Sequence, residues 1–500
     1  MRIAKAGIIM AVVIALLPVI YLTAEHCRGR ALFHKELQKA QARGLISRAM
    51  DLAPRPPAPE DNAASELQSS TLTLSQETQW LLRIFRTITF DSSQNLRVAL
   101  WQLTRIPITT RTTMQWSQFR NNLVNSNSML PRIRIALARP CYHTGFPYAL
   151  GMFLPSDAHQ KARLNLPNIP DLEVPNTLLA LSVNCSLHEN DLSTAMDDLV
   201  LLVRFSTTLL REPLVPLQIV RRDVISRAME TTWSALQHPD WTPGQLDRLQ
   251  SAWEGCDLVN DMIDAVKMRQ AMTLELYDRL EGSNDALLDY LGCFPDNPFG
   301  LPKPAESGST ICIRRIYPAL WRFAYVDMNR FLSLENHQKQ IDILQSHATS
   351  DTSDFYWELK NPPVPYRFVQ ARFFVANSRA VTEPPTDVFL SQTCYEITRT
   401  AIALERFKHR KGQYPASLNA LAPEFLPGIP EDPINRAPLV YKRITATRYL
   451  LYSLGVNGTD DGGASDSISM FGDTAKLVMA PDIVWPQLPE ESSTNSVAHY

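Results

Sequence analysis

The 500-residue sequence predicts a mainly α-helical protein built of helical hairpins, with an N-terminal transmembrane helix and a small C-terminal α+β domain. Three observations carry that expectation. Residues Ala6–Ala24 hold no charge and are mostly Ala, Val, Ile and Leu, close to the roughly 20 residues that span a bilayer core. Apolar residues then recur at steps of three and four through most of the chain, the spacing of one helix face. After Pro438 the spacing shortens to the partial two-residue alternation of strands.

Arg2 and Lys5 precede the apolar segment. A cleaved signal peptide fits poorly, because Leu22-Thr23-Ala24 lacks the small residue expected three positions before a cleavage site. His26, not a small residue, stands before Cys27, so a lipoprotein site is not expected either. The segment therefore reads as an uncleaved anchor. Arg28, Arg30, Lys35, Lys39 and Arg43 outnumber the two cations before it, and charge counting alone would keep the bulk in the cytoplasm. A short cationic tail favours export, however, and large domains translocate largely regardless of charge. The expectation is a single-pass inner-membrane protein with a periplasmic body.

A chain this long exceeds one core, so several domains are expected. The sequence divides into a tail (1–5), the anchor (6–24), a membrane-proximal helix with a Pro-rich linker (25–75) and an α-helical domain (76–361). A second Pro-rich linker (362–385), an α+β domain (386–487) and a polar tail (488–500) complete it. Net charge is -2, without the basic stripe or high pI of a nucleic-acid partner. The seven cysteines form no C-x-x-C and no zinc spacing. Cys293 and Cys312, which flank a Pro- and Gly-rich loop, are the best candidate bridge; buried free thiols are the alternative.

Taken in order, Leu32–Met50 reads as a helix leaving the membrane, and 63–75, polar and small, as linker. Trp80, Ile84 and Ile88 open a helical pattern. From Asn176 to Leu280 the pattern is clearest. Leu178, Leu181 and Cys185 form one stripe, His188–Asp191 make a turn, and Ser193 can cap the helix that Pro213 stops. Leu217, Val220, Val224 and Ala228 mark the next. Thr242-Pro243-Gly244-Gln245 then combines a capping box with proline at the first helical position. Short turns between such helices imply antiparallel hairpins. A loop-rich stretch (282–309) precedes a helical pattern at Ile316–Leu344.

Beyond the second linker, Ile397, Ala401 and Leu404 form a stripe on a helix over Asp387–Lys411. Arg406 and Lys408–Lys411 crowd its last turns, where cations suit the negative end of the dipole, and Gly412 ends it. Leu439–Ile444 and Thr447–Leu454 read as a hairpin.

This helix, followed by Gly412-Gln413-Tyr414-Pro415, Leu426–Pro433, Tyr449–Gly455 and Asn457–Gly463, resembles the globular domain of the major (G-type) pseudopilin of type II secretion systems. The likeness covers about a sixth of the chain. It implies a long helix packed on a small antiparallel sheet. It also implies calcium in the late loop, at Asn457, Asp460, Asp461 and Asp466 or Asp473, since acidic oxygens suit a hard cation. An EF-hand is excluded because Ile468 stands where its bidentate Glu belongs, and a Gly-rich turn with Asx hydrogen bonds is the plainer alternative. The N-terminus lacks the Gly-Phe-x-x-x-Glu of a processed prepilin, so polymerisation through it is not expected. The whole chain looks like bacterial membrane-anchored proteins with a helical body before such a tail, a likeness that brings no activity with it.

Catalytic motifs are missing: there is no His-Glu-x-x-His, no Gly-x-x-x-x-Gly-Lys, no Gly-x-Gly-x-x-Gly and no Gly-x-Ser-x-Gly. Asp157-Ala158-His159 and His188–Asp191 sit at predicted turns, where polar residues gather for structural reasons. The sequence therefore points to a protein-binding scaffold or accessory of a secretion or surface-assembly system. The alternative is a hydrolase-like envelope enzyme with its site in Gly282–Ser309 or near His143 and His159.

Overall fold

The computed structural model describes residues 2–71, 129–151, 153–154, 163–164, 172–292, 318–346, 385–463, 470 and 481–486. The expected helix around Trp80–Ile88, the Cys293–Cys312 pair and the linker expected at 362–385, except Pro385, which opens a helix, lie outside these residues. Cys27, Cys141, Cys185, Cys256 and Cys394 are unbridged thiols.

Helix α1 (Arg2–Ala42) runs unbroken for 41 residues, so the apolar segment and the polar turns after it share one axis. Among the described residues no helix is long and apolar enough to cross a membrane. After Gly44, at φ 82, the short α2 (Ala49–Leu52) enters the core. The stretch expected as linker holds instead α3 (Ala63–Thr71), whose Ala63 and Leu67 are fully buried. Its partner is α4 (Met129–Leu137). Two apolar residues four apart suffice because Asn62 fixes the entry. Its Oδ1 accepts from Ala64 N at 3.0 Å and His143 N at 2.9 Å.

A two-residue ribbon, β1 (Phe153–Leu154) with β2 (Arg163–Leu164), precedes the main body. That body is α5 (Glu173–His188), α6 (Leu192–Arg204), α7 (Val215–Leu236), α8 (Pro243–Ala252) and α9 (Leu258–Gly282). Asp191, rather than Ser193, caps α6 by accepting from Thr194 N at 3.1 Å. Asp198 does not serve the helix dipole. It is buried and bonded to Arg134 of α4 at 2.7 Å and Ser182 of α5 at 2.5 Å, joining three helices. The chain leaves α6 through a π turn (Phe205–Leu209). Arg221, fully buried, donates to the Ser206 and Thr207 carbonyls at 2.6 and 3.1 Å and pairs with Asp261 at 2.6 Å. The Thr242–Gln245 capping box opens α8 as expected.

After α10 (Asn284–Gly292), a second π turn (Trp321–Tyr325) leads into α11 (Val326–Ser346), which lies along α1. The two helices meet closely at Gly29, where an added Cβ would stand 3.0 Å from Met328 N.

Helix α12 (Pro385–Lys411) is the centre of the molecule. Phe389, Leu390, Tyr395, Ile397, Ile402 and Leu404 are fully buried, against α7, α8 and α9 on one side and the sheet on the other. Leu258 N donates to Gln392 at 2.8 Å, Cys256 N to the Tyr395 hydroxyl at 3.3 Å, and Arg222 pairs with Asp387 at 3.3 Å. One hydrophobic core holds residues of both the body and the C-terminal part. The division expected at 386 is therefore not a division of the core. The physical reason is local. Ser391, Thr398 and Thr400 bond back to carbonyls four residues earlier at 2.7–2.8 Å, so a helix that reads as half-polar buries nearly all round.

The expected hairpin is present, within a larger unit. β3 (Glu431–Asp432) pairs with β4 (Ala437–Pro438), while β5 (Val440–Arg443), β6 (Tyr449–Ser453) and β7 (Ile483–Val484) form an antiparallel sheet in that order. Its strands are shorter than expected, because residues 444–448 make the turn. Ile444 N and Thr445 N both donate to Arg448 O, and Thr447 N donates to the Thr445 hydroxyl at 3.2 Å. Buried Asp432 locks sheet to helix, accepting from Thr393 at 3.0 Å, Asn435 at 2.8 Å and Ser453 at 2.6 Å.

Candidate functional site

At the seam between the helical body and the sheet, the end of α12 emerges from the core and forms one side of a cleft of about 590 Å³. Gly412, at φ 77, reverses the chain so that Tyr414 returns beneath the helix, its N–H bonded to Ala446 O at 3.0 Å. The hairpin end brings Arg448 and Tyr449. The turn after α7 brings His238 and Trp241, and the segment after β7 brings Trp485. That last segment is fixed twice, by Trp485 N to Leu451 O and by Trp233 Nε1 to Pro486 O, both at 2.9 Å.

The cleft thus has aromatic walls, Trp241, Tyr414, Tyr449 and Trp485, the cations Lys408 and Arg448, and two imidazoles, His238 and His409. Tyr414 and Tyr449 meet edge to face with centroids 4.6 Å apart. Lys408 Nζ lies 4.8 Å above the Tyr414 ring and 3.8 Å from Glu405, the carboxylate among the described lining residues. Tyr414 donates its hydroxyl to Glu405 at 2.5 Å. Burial pushes the Glu405 carboxyl up, opposed by Lys408 and the Tyr414 bond. Burial and the Glu405 charge raise the phenols of Tyr414 and Tyr449, which stay neutral at physiological pH. Such a lining suits an anionic group attached to an apolar body, held by the Lys408 and Arg448 charges beside the little ring surface left exposed.

The proposed calcium residues fall in a different place. Asn457 accepts from Thr459 N at 2.9 Å and donates to Asp461 at 3.1 Å. Asp460 accepts from the Tyr452 hydroxyl at 2.8 Å and Gly462 N at 2.9 Å, bonds that hold its carboxyl below the usual range. These are the Asx bonds of a Gly-rich turn, and among the described residues no group of three acidic, His or Cys side chains is placed to hold a metal. Asp466 and Asp473 lie outside the described residues.

His143 is part of a buried corner. Its Nδ1 accepts from Gly145 N at 3.0 Å, and its Nε2 is 3.7 Å from Glu212, which also accepts from the Tyr148 hydroxyl and Thr144 N at 2.8 Å. These bonds tie the loop after α4 to the turn before α7. His159, Asp157 and the loop from residue 293 onward lie outside the described residues. His188–Asp191 form the α5–α6 turn, with Asn190 at φ 61 and Asp191 spent on the cap.

The cleft residues come from four separated stretches. The cations ending α12 stand out in the sequence, where they suit the negative end of the helix dipole; no spacing signal connects them to Trp241 or Trp485. Comparison of the chain with protein-family models, curated proteins and solved structures gave no match.

Proposed function

We propose that this protein is a single-pass, membrane-tethered binding protein of the cell envelope, a non-catalytic accessory or scaffold of a secretion or surface-assembly system. Its docking site is the cleft at the end of α12, and its ligand there is an acidic, aromatic-containing segment of a partner protein. The observation that carries the reading is the lining itself: Lys408 and Arg448, with the imidazoles of His238 and His409, beside four aromatic walls, the carboxylate Glu405 being already bonded to Tyr414. Supporting the tether are the charge-free residues Ala6–Ala24 behind Arg2 and Lys5. Supporting the secretion or surface setting is the sequence resemblance to the pseudopilin globular domain, with which the order of long helix, antiparallel hairpin and Gly-rich acidic turn is compatible.

An envelope hydrolase is the second reading. Glu405, a carboxyl raised by burial in a cleft beside Tyr and Lys, is the observation on its side. Binding stands ahead because Glu405 is engaged by Tyr414 and Lys408.

A photo-crosslinking residue at His409 in the full chain, expressed in its own host, tests the proposal. Adducts should form with an envelope protein, map to an acidic segment, and fall at least tenfold when Lys408 and Arg448 are changed to Glu. Adducts no more abundant than those from a crosslinker at exposed Asp264 would exclude the cleft as docking site.

A further inference from the structure

We infer that the body rests on the phospholipid bilayer through a second apolar foot, Leu320 and Phe323 at the π turn before α11, set beside the N-terminal tether. This inference rests on reading Ala6–Ala24 as that tether. Helices α1 and α11 run parallel and in step. Gly29 meets Met328, the Arg330 guanidinium lies 5.8 Å from the Phe33 ring, and Arg43 pairs with Asp342 at 3.0 Å. The chain entering α11 must therefore lie beside the turn of α1 that follows the apolar segment. It does: the His26 ring stacks on Phe323 at 5.0 Å, with planes 5° apart, and His26 Nδ1 lies 2.6 Å from the Phe323 carbonyl. Leu22 packs on the small core around Trp321 and Tyr325.

Within this turn the buried and exposed residues separate cleanly. Trp321 and Ala324 are 1% and 3% exposed, facing the body, whereas Leu320 and Phe323 are 39% and 47% exposed. They extend the exposed apolar run Leu16, Leu17, Val19, Ile20 and Tyr21 of α1 at the same end of the molecule. The next charge along α1, Glu25, is buried, and exposed Arg28 and Arg30 follow one turn further on. Apolar residues, then Tyr, then Arg is the order of a membrane interface, with guanidinium groups at phosphate depth. Continuity with a segment lacking charge for the depth of a bilayer selects lipid as the occupant. Because α1 passes from tether to body without a break, the foot sets the tilt of the body and the height of the cleft above the membrane.

The test uses the full chain in phosphatidylethanolamine–phosphatidylglycerol vesicles, with a fluorescent amino acid at Phe323 or, in a second protein, at exposed Asp264 of α9. Bromine-labelled lipid should quench position 323 several-fold more than position 264, and aqueous iodide should do the reverse. Leu320→Glu should keep the protein on vesicles and the helical circular dichroism unchanged, while restoring iodide access at 323. Three results overturn the inference in different ways. Protein that floats with vesicles but shows equal iodide access at both positions removes the foot and leaves the tether. Protein that does not float removes the tether, and the foot with it. Iodide protection at 323 without quenching by bromine-labelled lipid assigns the patch to a second copy of the chain, which also overturns it.

Discussion

His337 lies on α11 inside the body, where its Nε2 accepts from Arg269 Nε at 3.2 Å. Burial, and then the Arg269 charge, hold its imidazolium form well below the ordinary range. The folded state therefore keeps a neutral ring where the unfolded chain takes up a proton. Stability from this site is complete above about pH 6.5 and is lost as pH falls toward the depressed folded value, by up to about 1.4 kcal/mol per unit. Urea midpoints at pH 7 and pH 5 should differ more for the parent than for His337→Gln, a comparison in which the raised carboxyls of Asp223, Glu396 and Glu405 cancel. Equal pH shifts in the two proteins would show that this imidazole protonates freely in the fold. Arg221 shows the complementary case: a charge is tolerated in the core because the carbonyls of a π turn and Asp261 meet its donors.

The C-terminal sheet depends on a Gly-rich loop lying close over β6. Gly463 has φ 72, and a Cβ there would stand 2.7 Å from a Leu450 methyl and 3.1 Å from the Tyr452 ring. Its N–H also donates to Asp482, just before β7, at 2.8 Å. Gly463→Ala combines left-handed backbone strain with overpacking and should destabilise the protein by about 2–4 kcal/mol. The measurement is a melting temperature by circular dichroism, with Gly462→Ala as control, since Gly462 has positive φ but open space around it. If both variants fall equally, backbone strain alone explains the loss and the loop does not press on β6. The hairpin was legible from alternation. β7 was not, because two residues paired about thirty positions away leave no local pattern.

Helix α12 joins the described body and the sheet in one hydrophobic core. Its removal would expose the faces of α7, α8 and α9 that now pack on it, and would leave β6 without a partner layer. The full chain should thus unfold with Trp fluorescence and far-ultraviolet circular dichroism superimposed through these elements. Trp233, Trp241 and Trp253 report the body, and Trp485 the sheet. A fluorescence change localised to Trp485 by Trp485→Phe, at lower urea than the main transition, would restore two independent domains.

Elements whose causes are local were legible along the chain. The Thr242–Gln245 box, the turn at 188–191, the stop at Gly412 and the helix expected over Asp387–Lys411, which begins two residues earlier, each follow from residues within one or two turns of one another. Tertiary structure alone decided the partners. It made a docked helix of Ser- and Thr-containing residues 63–71, wrapped α12 in core where its sequence shows a narrow stripe, and gathered Lys408, Trp241, Arg448 and Trp485 around one cleft. The reason is that hydroxyls bonded to their own helix, and aromatic rings far apart in the chain, carry no periodic signal of the surface that will cover them.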